Sequence, residues 1–171
     1  MEYIAQYAAD GSTGEFEFTS IPQKYRSLRI VMSQGKRVGS GINIGIWFNG
    51  DSTGGNYGYS VMYGTGTNSS YLFSRNSGTI NMSDCPTGNV NDSQIWVCDI
   101  ANYSNASAGT TCHIWQGANQ QGGSNTGIGG FAYSVTSAIT TIEINSGGYN
   151  PGLLYNYDTP TLFTLFGIGL V

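Results

Sequence analysis

Within the stretch Gly41–Gly66, large apolar residues recur at every second position: Ile42, Ile44, Ile46 and Phe48, then Tyr57, Tyr59, Val61 and Tyr63. A period of two puts them on one face of an extended strand and is incompatible with a helix. Between the two runs lies Asn49-Gly50-Asp51-Ser52-Thr53-Gly54-Gly55-Asn56. These residue types tolerate positive φ or bond their own backbone. The stretch therefore reads as a β-hairpin with an aromatic face and a long polar loop.

The rest of the chain carries the same signature. Phe16 and Phe18 alternate with Glu15 and Glu17, and Pro22 ends that strand. Tyr25–Ser33 places Leu28, Ile30 and Met32 on one face, with Arg29 and Val31 on the other. Further short strands are expected at Tyr71-Leu72-Phe73, Thr79–Met82, Thr110–Gly117, Phe131–Val135 and Ala138–Asn145, and a C-terminal strand is expected to enter the core. Gln94–Tyr103 is nearly continuously apolar, as in a strand covered on both faces. Residues 83–92 and 118–130 read as loops, and residues 1–14 as an extended arm before a domain spanning 15–171.

Nine to eleven short strands without a helix or a fixed repeat predict an all-β chain. The simplest arrangement is a single-domain antiparallel β-sandwich of jelly-roll type. Composition agrees: 26 Gly and 12 Tyr among 171 residues, with 9 % charged, leave little helix-forming sequence.

Charge is uneven. Glu2, Asp10, Glu15 and Glu17 precede every basic residue, and Lys24, Arg26, Arg29, Lys36 and Arg37 then cluster, leaving Arg75 alone. An acidic strand beside a basic one explains this, as do two complementary patches that meet a partner. So few cations in a chain of net charge −4 make nucleic acid a poor ligand. The N-terminus lacks the pattern of a signal peptide, and no apolar run reaches the roughly 20 residues of a membrane helix.

Catalytic patterns are weak. His113 lies beside Cys112 in a predicted strand, so the two side chains point to opposite faces. Cys85, Cys98 and Cys112 have no metal-binding spacing, and buried thiols are expected at Cys98 and Cys112. Asp51, Ser52, Thr53 and Asn49 offer oxygens for Ca²⁺, but a turn explains them better. The acids Asp51, Asp84, Asp92, Asp99, Glu143 and Asp158 are scattered along the chain and form no glycosidase motif. No catalytic residue, metal or cofactor is assigned. Trp47, Tyr57, Tyr59, Trp115 and Tyr133 remain as an aromatic platform for a sugar or a protein, with Trp47, Tyr57 and Trp115 as the loop aromatics expected to face a ligand.

Four phrases taken together resemble a class of small β-sandwich virion proteins of tailed bacteriophages. They are FEFTSIPQKYRSLRIVM (from Phe16), FNGDSTGGNYGYSVMYGTG (from Phe48), SAITTIEINSGGYNPG (from Ser137) and LFTLFGIG (from Leu162), and the likeness runs from about Phe16 to Val171. The resemblance implies a non-enzymatic capsid decoration (cement) protein, a homotrimer on the outer capsid surface that clamps neighbouring major-capsid subunits. A short chain without a fibrous shaft favours this over the alternative, a receptor- or glycan-binding module of a tail fibre or appendage that contacts host-surface glycan. Capsid or intersubunit contact is expected from the arm (Glu2, Tyr3, Tyr7) and the basic segment (Lys24, Arg26, Arg29, Lys36, Arg37).

Overall fold

The computed structural model describes residues 1–9, 15–33, 45–64, 68–77, 80–81, 93–120, 123–145 and 161–170. They form twelve strands: β1 (Glu2–Ala9), β2 (Glu15–Phe18), β3 (Tyr25–Ser33), β4 (Gly45–Phe48), β5 (Tyr57–Gly64), β6 (Ser69–Ser77), β7 (Ile80–Asn81), β8 (Ser93–Ala101), β9 (Thr110–Gln120), β10 (Gly123–Tyr133), β11 (Ile142–Asn145) and β12 (Thr161–Leu170). An eight-stranded sheet has the order β1-β12-β3-β8-β9-β10-β5-β6, and a four-stranded sheet the order β2-β11-β4-β7. Every pairing is antiparallel.

The jelly roll is legible in this order. The segments β1-β12-β3-β8 and β2-β11-β4-β7 interleave so that the chain alternates between the sheets, as a double Greek key requires. Two hairpins, β5–β6 and β9–β10, are inserted into that frame, and both lengthen the large sheet beyond β8.

The core lies between the sheets. Phe16 and Phe18 of β2, Ile46 and Phe48 of β4, and Ile142 and Ile144 of β11 point toward the large sheet. There they meet Leu28, Ile30, Cys98, Ile114, Phe163 and Leu165. Phe16 stacks on Tyr7 of β1 with ring centroids 4.0 Å apart and lies 5.0 Å from Phe163 of β12. At the other end Phe48 packs against Tyr57 and Tyr133 at 6.2 and 5.4 Å. Alternation in β2, β3 and β12 follows the expected two-residue burial pattern.

Several expectations are corrected. Residues 2–9 are not an arm: β1 pairs with β12 over Glu2–Ala9 and forms one edge of the large sheet. A register shift between Tyr3 and Ala5 lets Ile4, Ala5 and Tyr7 pack on the core while Tyr3 and Gln6 stay exposed. The Gly41–Gly66 stretch is not a hairpin either, because β4 and β5 belong to different sheets. Asn49 and Gly50 take φ of 53° and 69°, which turns the chain out of one sheet and into the other. Ile42 and Ile44 lie outside the described residues.

The glycine-rich segment 118–130 falls largely in β9 and β10, and only residues 121–122 of it are not described. Glycine persists in β10 for packing reasons: a Cβ on Gly129 would come within 2.9 Å of Val61. In the 138–145 segment only Ile142–Asn145 is strand. Gln94–Tyr103 is covered on one face only, since Trp96, Cys98 and Ile100 are buried while Ile95 is 54 % exposed.

Candidate functional site

The turn that follows β4 gathers most of the polar chemistry near the Phe48-Asn49-Gly50-Asp51 phrase. One Asp51 carboxylate oxygen accepts the Thr53 backbone N–H at 2.9 Å; the other accepts Asn56 Nδ2 at 2.7 Å and the Tyr133 hydroxyl at 2.9 Å. Burial pushes this carboxyl up, but the hydrogen bonds from Thr53, Asn56 and Tyr133 outweigh it and hold it at about 2. Tyr57 donates to the Asp51 carbonyl and accepts the Phe48 N–H. Asn49 Oδ1 accepts the N–H groups of Thr140 and Thr141, and its Nδ2 donates to the Ala138 carbonyl. These groups lock β4, β5, β10 and the approach to β11 together. Asp51 is a structural clasp whose oxygens accept from three donors.

Tyr57 and Tyr133 are both buried and stacked on one another at 4.8 Å, so Tyr57 does not face a ligand and Tyr133 does not join an exposed platform. Tyr59 packs against Phe131 and is half-buried. Trp47 is half-buried on the outer face of the small sheet, opposite Glu143, and its buried Nε1 has no hydrogen-bond partner among the described residues. Glu143 also stands opposite Glu17, and Asn145 opposite Glu15. Burial raises the Glu143 carboxyl, and the charges of Glu15 and Glu17 raise it further against the hydrogen bond from Asn145. Sequence spacing did not bring these three acids together because β2 and β11 are distant in the chain.

The expected contact residues are distributed rather than clustered. Glu2 and Lys24 pair with each other at 2.9 Å on the surface, so part of the charge asymmetry is an internal match between β1 and the turn that leads into β3. Tyr3 is exposed and meets the edge of Phe166, and Arg26 is exposed beside Gly169. Tyr7 is committed to Phe16 and is not a free contact. Arg29 forms a two-pronged pair with Asp99 at 2.6 and 2.7 Å. Lys36 and Arg37 lie outside the described residues.

Trp115 is the one ligand-facing candidate that stands clear, 47 % exposed on the outer face of the large sheet. It is held from two sides. Its Nε1 donates to His113 Nδ1 at 3.2 Å, and the Arg29 guanidinium sits 6.0 Å from its ring centre. Cys112, next to His113, is buried on the opposite face with Cys98, as strand alternation requires.

Strand register places Trp115 in a continuous rank. Directly opposite one another across six strands stand Val31, Val97, Trp115, Ile128, Met62 and Tyr71. Phe73 stands two residues along from Tyr71, with ring planes 7° apart and centroids 6.4 Å apart. Ile95 stands two residues along from Val97. Ile128, Met62, Tyr71, Phe73 and Ile95 are 43 to 68 % exposed. Between β10, β5 and β6 the rank opens into a groove of about 530 Å³ lined by Met62, Tyr71, Thr126 and Ile128 among others. Sequence reasoning missed Met62, Ile128, Tyr71 and Phe73. The available signal was that these strands carry apolar residues on both faces.

No family model matches the chain, and no curated protein sequence matches it. Among solved structures, the marine PL-14 alginate lyase from Aplysia kurodai is similar at a TM-score of 0.36 and 11 % identity, covering 86 % of this chain and 72 % of that one. A likeness at that level carries no argument about this chain.

Proposed function

We propose that the chain is a non-enzymatic structural protein of a phage virion, a decoration protein seated on the outer capsid surface. There, as a homotrimer, it clamps neighbouring major-capsid subunits. The observation that carries this reading is the outward rank around Trp115: an open, largely uncharged face of large side chains suits contact with another protein surface. The resemblance of the Phe16, Phe48, Ser137 and Leu162 phrases supports it independently. Those phrases correspond to β2–β3, the Asn49–Asp51 corner with β5, β11 and β12, so the likeness lies in the strands of the sandwich. Such clamping would rest on modest contacts multiplied by symmetry.

Purified protein mixed with capsids that lack it should co-sediment with them and saturate at a fixed number of copies. Failure to bind at any concentration would remove the capsid assignment.

A second reading is favoured by one feature. The parallel Tyr71 and Phe73 rings beside the groove form a platform on which sugar rings could stack. In that case the chain is a receptor-binding module of a tail appendage, and Tyr71→Ala would abolish glycan retention.

A further inference from the structure

The large sheet carries apolar side chains on both faces, yet the small sheet covers only one of them. Strands apolar on both sides are characteristic of sheets with both faces packed. In β8 the inward Trp96, Cys98 and Ile100 are buried, while Ile95 on the other side stands 54 % exposed and Val97 is half-buried. The second cover is therefore not supplied by the described residues of the same chain.

We propose that the outward rank centred on Trp115, Ile128, Met62 and Tyr71 is the surface through which copies of this chain associate with one another. The proposal deepens the virion reading by naming the face that would join the copies, though the assignment itself comes from register and exposure. Size argues for a protein occupant. At the stated exposures the six large side chains offer roughly 700 Å² of apolar surface, taking ~200 Å² for each when whole. That exceeds the ~300–600 Å² of the largest patch on a typical monomer and approaches the ~800 Å² per partner of a stable interface. A sugar or a short peptide would leave much of it in water.

Charge argues for a second copy in particular. The chain is acidic overall, net −4, so two copies repel wherever their carboxylates face each other. The rank is the exception: the six strands that carry it hold a single carboxylate, Asp99, which Arg29 neutralises. The face also carries a projection and a recess at different places. Trp115 is braced by His113 and Arg29, whereas the groove lies across β10, β5 and β6. A pre-oriented aromatic and a groove offset along one surface let the projection of one copy fill the recess of the next.

The test is sedimentation of the full chain over a range of concentrations. The wild type should run at a small multiple of 18.2 kDa. Met62→Glu and Trp115→Glu should each weaken association by about thirtyfold or more, the scale of a hot-spot side chain. Both should keep a cooperative thermal transition, and Ala106→Glu, remote from the rank, should leave the mass unchanged. If Trp115→Glu fails to fold, Tyr71→Lys on the edge strand replaces it. A wild type that stays monomeric, or substituted chains that keep its mass, would overturn the proposal. So would a monomer retained on a glycan through Tyr71 and Phe73. An oligomer broken by these changes that never binds capsids would remove the virion reading and leave this interface standing.

Discussion

The Tyr133 hydroxyl donates to the Asp51 carboxylate at 2.9 Å, tying β10 to the corner after β4 across a sequence separation of 82 residues. This bond holds the junction between the two sheets, and the corner is where the chain changes sheet.

Removing it should destabilise without unfolding. Tyr133→Phe keeps the buried ring and loses the donor, so urea denaturation should show a loss of about 1.5–3 kcal/mol, the range for hydrogen bonds to a charged group. The effect should also depend on pH. The Asp51 carboxyl is held at about 2 in the folded chain and lies near ~4 when unfolded. Its contribution is therefore fully present above ~4 and is lost as pH falls toward 2. In Asp51→Asn this part of the acid sensitivity should disappear.

Glu143 should behave with the opposite sign. Burial and the charges of Glu15 and Glu17 raise its folded carboxyl above the unfolded value. The native state thus holds a proton more tightly, and stability falls as pH rises through the raised folded value. Glu143→Gln should raise the melting temperature at pH 7 and make no such gain at pH 3. An equal gain at both values would show that charge is not the cause.

Gly167 lies beneath the Tyr25 ring, and a Cβ there would stand 2.4 Å from ring carbons. Tyr25 is buried and cannot swing aside. Gly167→Ala should cost about 1–3 kcal/mol, as overpacking does, while Gly54→Ala in open space should be nearly neutral.

Burial pushes the Cys98 thiol well up, and Cys112 lies buried beside it. In a Cys85→Ser background, both thiols should resist a disulfide exchange reagent in the native state and react only at the rate of opening. Prompt reaction of either would contradict their placement in the core.

Local periodicity announced β2, β3 and β12 almost residue for residue, because alternation of Phe16 with Glu17, or Ile30 with Arg29, is set by one buried face. It could not announce which sheet a strand joins. Tyr57 follows Phe48 closely enough for a hairpin, and only the positive φ at Asn49 and Gly50, with the Asn49 bonds to Thr140 and Thr141, sends it to the other sheet. The glycines of β10 look like a loop until Val61 is seen against Gly129. The rank itself was hidden for a similar reason: Trp115, Ile128, Met62 and Tyr71 are neighbours only through strand register, which long-range pairing decides.

The central claim, a decoration protein joined copy to copy, is tested most directly by locating the chain on intact particles by cryo-electron microscopy. The account predicts many copies on the icosahedral lattice, arranged in rings with the Trp115 face turned toward neighbouring copies. A few copies confined to the tail, or lattice copies whose Trp115 face is open to solvent, would contradict it.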